Sequence, residues 1–174
     1  LPVCLGWKSD IDMPNPQFRL SLILGWGKEN NEQFDKGDLS YCGAYSCGLK
    51  KAYVPITPLA ECKQQHKFAF QIFSSMHICA GAEGIVLFVK CYSIRLTSND
   101  VRIDHQPVKM LNFTGRDTCS GDSGGPLLVK SDRHSPTFLL GVVSFGINKC
   151  GTGVPGVYTN VQSFMPWIRS KLRP

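Results

Sequence analysis

The chain has 174 residues and a formal net charge of +6, and 43% of its residues are hydrophobic. This length is enough for one domain with a sizeable core. Its basic residues are scattered rather than arranged in a stripe with aromatic residues, so we expect no nucleic-acid partner. No apolar run is long enough to span a membrane, so we expect no membrane partner. Nothing near Leu1 resembles a signal peptide, and we expect an upstream portion to be missing.

Short strands separated by clusters of Gly, Pro, Asn and Asp predict an all-β fold, either a sandwich or a closed barrel. The strand candidates in chain order are residues 18–26, 50–56, 78–80, 126–130, 138–145 and 156–161. Thr57 and Pro58 are typical of a helix cap and first turn, which predicts a helix ending near Gln65. A C-terminal helix is predicted by an apolar stripe with Trp167 beside it: Val161, Phe164, Ile168 and Leu172.

Residues 85–115 fit this pattern poorly. The segment opens with the apolar run 85–89, becomes irregular and mixed in charge, and contains Cys91, for which we find no partner. An apolar run with an unpaired cysteine is unfavourable in a surface loop of a secreted protein, because it exposes apolar surface and a reactive thiol. The segment is therefore either a true insertion or an error of the gene model, such as a translated intron. We favour the gene-model error.

Eight cysteines are widely spaced along the chain: Cys4, Cys42, Cys47, Cys62, Cys79, Cys91, Cys119 and Cys150. The absence of paired CxxC knuckles argues against structural zinc, which needs closely spaced ligands. The pattern favours disulfides formed in an oxidising compartment. The alternative is a cytosolic protein with scattered buried thiols.

The most informative segment is residues 117–126, which read DTCSGDSGGP. A serine nucleophile needs a base, an exposed position on a sharp turn and nearby N–H groups that receive negative charge. Glycines on both sides of Ser123 permit such a turn. One alternative is an ordinary polar turn. Another is the nucleophile elbow of an α/β-hydrolase, but that fold needs an acid and then a histidine downstream, and Asp132 is too close to His134.

The complete run from Gly121 to Pro126 resembles the trypsin-type serine proteases of the chymotrypsin family. Further similarity lies in residues 1–5, 25–27, 79–81, 144–146, 150–151, 155–159 and 167–168. The resemblance covers nearly everything except residues 85–115, and residues 54–62 are similar to arthropod clip-domain proteases. It implies the second antiparallel six-stranded barrel of a two-barrel fold. Residues 1–17 would be the inter-barrel linker, 18–160 the barrel and 161–174 a C-terminal helix, with the first barrel largely absent.

The resemblance also assigns roles to individual residues. Ser123 would be the acylated nucleophile, and the N–H groups of Gly121 and Ser123 would form the oxyanion hole. Asp117 would lie at the base of the specificity pocket and select substrate Arg or Lys, although it could instead form a surface ion pair with Arg116. The other expected substrate-binding residues are Ser144, Gly146 and Gly156. Asp122 would be the activation switch, the alternative being a solvated turn residue.

The same resemblance implies disulfides between Cys62 and Cys79 and between Cys119 and Cys150. Cys4 would bond to the upstream part of the protease, and Cys42 and Cys47 could close a small loop. Another bridge of the family has no candidates here: Ser21 and Val129 stand near the positions of its two ends.

The segments that carry the family's catalytic histidine and aspartate are absent. The four histidines, His66, His77, His105 and His134, stand in other contexts. We therefore expect this chain alone to be inactive, with the base and its acid upstream of Leu1. The implied enzyme is secreted, needs no metal or other cofactor, cleaves protein substrates after Arg or Lys, and could meet serpin-type inhibitors. The alternatives are a non-catalytic protease homologue that acts by binding and a purely structural disulfide domain.

Overall fold

The computed structural model describes residues 3–5, 20–28, 46, 48–73, 75–81, 86–89, 92–97, 100–105, 109–112, 115–130, 136–147 and 150–172. Its strands are β1 (Leu20–Gly25), β2 (Lys50–Thr57), β3 (His77–Ala80), β4 (Val86–Val89), β5 (Tyr92–Thr97), β6 (Asp100–His105), β7 (Lys109–Asn112), β8 (Pro126–Lys130), β9 (Thr137–Phe145) and β10 (Gly156–Asn160). Its α-helices are α1 (Leu59–Gln65) and α2 (Met165–Lys171), and short 3₁₀ helices span Ala69–Gln71 and Val161–Phe164.

Six strands form a closed antiparallel barrel in the order β1-β2-β3-β10-β9-β8. Closure leaves these strands without an open sheet edge. The barrel confirms the all-β prediction and excludes the α/β-hydrolase alternative, which needs alternating strands and helices. All six strand candidates correspond to barrel strands, and the predicted bounds of β8 agree with the structure.

The barrel interior is filled by a cluster of buried apolar side chains: Ile23, Val54, Ile56, Ala80, Leu127, Val129, Phe138, Leu140 and Tyr158. A smaller cluster lies where α1 meets the barrel, and it contains Cys62, Ile72, Cys79 and Val157. Ser21 is an exception to the apolar interior, because it is fully buried and its hydroxyl has no hydrogen-bond partner among the described residues. The polarity of residue 21 therefore does not match its position.

The predicted cap of α1 is wrong. Thr57 is the last residue of β2, and its hydroxyl donates a hydrogen bond to the carbonyl of Gly81. Pro58 occupies the cap position and makes no side-chain capping bond. The β-branched Thr57 is better suited to the strand end, where it connects β2 to the residue that follows β3.

The C-terminal helix is shorter than predicted and begins as a 3₁₀ turn. The side chain of Asn160 caps this turn by accepting a hydrogen bond from the Gln162 N–H at 3.1 Å. Val161 is buried as expected, but Leu172 lies beyond α2 and is 64% exposed. Met165 is buried instead, which the predicted stripe omitted.

Residues 85–115 contain more regular structure than predicted. Within the described part, β4 pairs with β7 and β5 pairs with β6, both antiparallel. None of these four strands joins the barrel, which closes without them. That this segment is an addition to the ordinary fold, genuine or erroneous, stays a prediction, as do the proposed domain bounds.

Candidate active site

Ser123 lies on the turn that leads into β8. The turn is held by hydrogen bonds from the Asp122 N–H to the Cys119 carbonyl (2.9 Å) and from the Gly125 N–H to the Asp122 carbonyl (2.8 Å). Gly121 and Gly124 have φ angles of 100° and 82°, which side chains disfavour. The Gly124 N–H also bonds to the Val143 carbonyl on β9 at 3.0 Å. This geometry fixes the backbone while leaving the Ser123 side chain exposed.

Two N–H groups of this turn have no acceptor among the described residues. They belong to Gly121 and Ser123, whereas the N–H groups of Asp122, Gly124 and Gly125 all donate to carbonyl oxygens. Unpaired donors next to an exposed hydroxyl can receive an oxyanion that forms during attack by that hydroxyl. Both N–H groups lie on the turn that carries Ser123, and their role as an oxyanion hole stays a prediction.

Asp122 points into the protein rather than into solvent. Its Oδ1 accepts from the Gly27 N–H at 2.7 Å, and its Oδ2 accepts from the Cys119 N–H at 2.8 Å. The carboxylate faces a cavity of about 250 Å³ that is also lined by Gly25 and Lys28. The alternative of a solvated turn residue does not fit these contacts. The partner Gly27 was missed by sequence analysis, although the two glycines flanking Trp26 signal close approach of another group.

Asp117 is the most perturbed carboxyl group of the site. Burial raises its pKa to about 6, and the nearby Asp122 carboxylate adds a smaller upward effect. Hydrogen bonds from the N–H groups of Thr118 (2.7 Å) and Gly151 (3.2 Å) oppose this rise. Whether Asp117 selects the substrate side chain or instead pairs with Arg116 stays a prediction.

Gly156 keeps the approach to Asp117 open. A Cβ atom at this position would lie 3.1 Å from Asp117 Oδ1 and 3.2 Å from Thr118 Oγ1. The Tyr158 hydroxyl lies 3.3 Å from Thr118 Oγ1. Burial raises the pKa of Tyr158 far above its usual range. The pair formed by Thr118 and Tyr158 was not found by sequence analysis, because nothing in the motif indicates a contact across 40 residues.

The end of β9 carries the residues that were expected to form the substrate-binding wall. Ser144 and Gly146 are exposed, and Phe145 between them is half-buried. A Cβ atom at Gly146 would meet no atom of the described residues within 4 Å. An exposed strand end of this kind can pair with an extended peptide. The position agrees with the expected substrate-binding wall, and the role itself stays a prediction.

Both disulfides expected from the resemblance are present. Cys62 is bonded to Cys79, which connects α1 to β3, and Cys119 is bonded to Cys150, which connects the Ser123 turn to Gly151. The second bond matters for the site because the Gly151 N–H contacts Asp117. Among the described cysteines, Cys4 has a free thiol and is half-buried. The predictions for Cys42, Cys47 and Cys91 lie outside the described residues.

No described histidine is hydrogen-bonded to Ser123. His77 lies on β3, and its Nδ1 accepts from the Phe73 N–H at 3.0 Å. His66 is buried with neither ring nitrogen in a well-formed hydrogen bond, and burial lowers its pKa, with the Pro155 backbone partly opposing this effect. The His66 ring packs against Phe68 and Phe145 rather than against Ser123. Only the backbone of His105 is described, and His134 lies outside the described residues.

The described part of the chain contains no group of three or more His, Cys, Asp or Glu side chains placed to hold a metal ion. None of its helices is both long enough and apolar enough to cross a membrane.

A closed antiparallel barrel with the exposed Ser123 turn at its rim is the architecture expected of one barrel of the chymotrypsin fold. The profile of the family described as Trypsin matches residues 89–168, a range that includes Asp117, Ser123 and Gly156. The chain belongs to the trypsin-like serine proteases.

Its relatives include insect proteases with clip domains. The chain is 31% identical over 172 residues to "CLIP domain-containing serine protease HP8" of Bombyx mori, which covers 98% of this chain and 36% of that protein. It is 44% identical over 88 residues to "CLIP domain-containing serine protease B4" of Anopheles gambiae, covering 50% of this chain and 24% of that protein. It is 30% identical over 173 residues to the "Tissue-type plasminogen activator" of Bos taurus, covering 99% of this chain and 24% of that protein. The chain thus spans about a quarter to a third of the length of these relatives.

Proposed function

We propose that the complete protein is an extracellular serine endopeptidase that hydrolyses peptide bonds after Arg or Lys through an acyl-enzyme on Ser123. The observation that carries this proposal is the exposed Ser123 beside the unpaired N–H groups of Gly121 and Ser123. Such donors stabilise negative charge where it develops, and removing one typically costs about 10²–10³-fold in turnover. The two disulfides support an oxidising, extracellular location.

The proposed reaction begins with attack of the Ser123 oxygen on the carbonyl carbon of the cleaved bond. The carbonyl oxygen becomes an oxyanion and accepts hydrogen bonds from the Gly121 and Ser123 N–H groups. A general base must take the hydroxyl proton and return it to the leaving amine. We propose that this base is a histidine and that it and its orienting aspartate lie upstream of Leu1. The 174-residue chain alone would therefore be inactive.

Asp117 would select the residue before the cleaved bond. Its carboxylate is partly buried and has a raised pKa, so a substrate guanidinium or ammonium group would stabilise its charged form. Gly156 leaves space for the long side chain of Arg or Lys to reach Asp117. Ser144 and Gly146 would pair with the substrate backbone and hold it in an extended conformation.

Asp122 would act as the activation switch. Its carboxylate already accepts two backbone hydrogen bonds and still borders a cavity of about 250 Å³. A cationic amine entering this cavity would form an ion pair with Asp122, whose backbone adjoins both proposed oxyanion donors. Binding there would therefore stabilise the active turn. Cys4, which adds to β9 through hydrogen bonds with Thr137 and Leu139, would bond to the upstream part of the protease.

Proteolytic cascades supply a fitting setting for such an enzyme. One relative, 50% identical over 62 residues, is named "Phenoloxidase-activating enzyme" of Bombyx mori, although the match covers 34% of this chain and 13% of that protein. We propose that this protein acts on other proteins in an extracellular cascade. Serpin-type inhibitors would be a further class of partner, because they present a cleavable loop to serine proteases.

A non-catalytic homologue that acts by binding is the second candidate. The observation that favours it is the lack of any described histidine bonded to Ser123. Against it stands the retained turn geometry, which a protein without catalysis has no need to keep. The sequence upstream of Leu1 discriminates between them, because a replaced catalytic histidine would support the binding protein.

The test is to label the complete, activated gene product with a fluorophosphonate probe and to measure cleavage of Arg and Lys amide substrates. We expect labelling and cleavage in the parent protein and neither in Ser123→Ala. The 174-residue chain alone should show no cleavage. Absence of labelling in the complete activated protein would overturn the proposed nucleophile.

A further inference from the structure

His66 is a buried histidine that the proposed chemistry at Ser123 does not use. It caps the C-terminal end of α1, and only 4% of its surface is exposed. Neither ring nitrogen has a well-formed hydrogen bond with the described residues. Buried polar groups without a partner are rare in folded proteins, so this one calls for an explanation. An upstream barrel placed against this structure could only bury the ring further, so its burial does not depend on the missing part.

The His66 ring connects α1 to β9, the strand that holds the turn of the proposed nucleophile. It meets Phe145 edge-on, with the ring centroids 5.8 Å apart, and Phe145 also packs against the smaller buried cluster beside α1. Two residues earlier on β9, the Val143 N–H donates to the Gly125 carbonyl at 2.9 Å, and the Val143 carbonyl accepts from the Gly124 N–H at 3.0 Å. Movement of the end of β9 would therefore reach the backbone that follows the proposed nucleophile.

The segment that carries His66 offers no carboxylate to a charged ring. It contributes Lys63 and Lys67, which would repel an added positive charge. The nearest carboxylate along the chain, Glu61, is exposed and accepts a hydrogen bond from the Gln65 side chain at 3.2 Å. A protonated ring in its present place would thus be a buried charge without compensation, which is costly.

The other elements around the ring add one titratable group. No ionisable side chain occurs in the 3₁₀ helix that follows α1, in β9, or in the five residues before β10, where the Pro155 backbone adjoins the ring. His77 of β3 meets Phe145 edge-on at 5.7 Å. Burial lowers the pKa of His66 from its ordinary value of 6.5, and the Pro155 backbone partly opposes this effect. The ring therefore accepts a proton more readily once it has left its buried site.

We propose that His66 is a pH-sensitive latch whose neutral ring holds the end of α1 against the end of β9 and whose protonation in mild acid releases the two. The stability that the neutral ring contributes is present above about pH 6.5 and is lost as the pH falls below it. Release loosens β9 where Val143 holds the turn, so Ser123 loses its fixed backbone. The latch itself does not depend on the proposed function, whereas its effect on catalysis rests on that function.

The first measurement follows the disulfide that closes the segment, in the complete protein carrying Ser123→Ala. Cys62 and Cys79 are buried, so a water-soluble phosphine reduces their bond only after the segment opens. The reduction rate, measured by alkylation and mass spectrometry, is divided by the rate for Cys119–Cys150 in the same sample, which cancels the pH dependence of the phosphine. A histidine of ordinary pKa is protonated in about 30-fold excess at about pH 5. We therefore expect this ratio to rise about fivefold or more from about pH 7.5 to about pH 5.

Substitutions of the two histidines decide whether His66 is responsible. His66→Phe keeps an aromatic ring but cannot titrate, so we expect its ratio of reduction rates to stay constant with pH. His66→Leu is a second non-titrating variant with a smaller side chain than Phe. An equal rise in the parent and both variants would overturn the proposal. So would a rise that disappears in His77→Phe and persists in His66→Phe, since it would assign the switch to the other histidine that contacts Phe145.

The reaction of the proposed nucleophile supplies the second measurement. The rate of fluorophosphonate labelling is compared at about pH 7.5 and about pH 5.5 in the complete, activated parent protein and in His66→Phe. Both lose rate in acid through protonation of the catalytic base, and we expect the parent to lose about threefold more. An equal loss would overturn the effect of the latch on the turn. Absence of labelling at every pH would instead contradict the proposed function, and the disulfide measurement would still decide whether the latch exists.

Discussion

The carboxyl group of Asp117 permits a direct test of the electrostatics of the site. Its pKa is raised from an ordinary value of 3.8 to about 6, mainly by burial. In the unfolded chain the pKa returns to its ordinary value, so between about pH 4 and 6 the folded state binds more protons than the unfolded state. Stability contributed by this group is therefore lost as the pH rises through that interval. The shift corresponds to about 3 kcal/mol at 1.36 kcal/mol per pKa unit.

Substitution of Asp117 by Asn removes this titration. We expect the stability of Asp117→Asn relative to the parent chain to rise by about 3 kcal/mol between about pH 3 and about pH 8. The amide can accept from the Thr118 N–H but cannot also accept from Gly151 with its nitrogen. This loss costs about 1 kcal/mol at every pH, so the difference between the two pH values is the quantity to measure.

Urea denaturation of the 174-residue chain at the two pH values supplies the measurement. Glu61→Gln is the control for net charge, because it removes an exposed carboxylate from α1. A relative stability of Asp117→Asn that is the same at both pH values would refute the reasoning. So would a variant that becomes relatively less stable as the pH rises.

At Gly156, substitution by Val would place a side chain 3.1 Å from Asp117 Oδ1. We expect the complete protein to lose about 100-fold or more in kcat/KM after Arg relative to cleavage after Ala, and an unchanged ratio would contradict the assigned pocket. Ser21→Ala removes a hydroxyl that is buried without a partner, so we expect urea denaturation to show a gain of about 1 kcal/mol. Its control is Ser46→Ala, whose hydroxyl bonds to the Gly48 carbonyl, and a clear loss at Ser21 would contradict the expectation.

The barrel strands could be predicted because turn-forming residues separate them. The extent of β8 follows from Pro126 at its start, and β9 is marked by apolar and β-branched residues that only Gly141 and Ser144 interrupt. Which side chains point inward was harder to predict. In β1 the buried residues are Ser21 and Ile23, whereas Leu22 is only half-buried. Pairing of Ser21 with Val54 on β2 sets this alternation, and local hydrophobicity does not report it.

Residues 85–115, which were expected to be irregular, show that composition alone is a poor guide to secondary structure. Its residues 92–97 alternate apolar and polar types, YSIRLT, which is the two-residue period of a strand. The preceding apolar run and the mixed charges obscured this signal. In the structure these residues form β5 and pair with β6.

In the candidate site, too, local features could be predicted from the sequence and long-range contacts could not. The motif around Ser123 predicts the turn and its glycines, because a sharp backbone bend requires them locally. It does not predict that the Gly27 N–H bonds to Asp122 or that the Tyr158 hydroxyl lies beside Thr118, since both contacts join distant parts of the chain. Long-range contacts of this kind follow from closure of the barrel and from the Cys119–Cys150 bond.

The two aspartates of the motif have different surroundings, and this difference explains why one would serve structure and the other substrate. Asp122 accepts two short bonds, at 2.7 and 2.8 Å, from N–H groups of its own chain. Asp117 has one short bond, a second of 3.2 Å, and a raised pKa that results mainly from burial. A carboxylate whose charge is incompletely compensated gains more from an added cation. A substrate Arg or Lys would therefore bind at Asp117, while Asp122 holds the turn on which Ser123 stands.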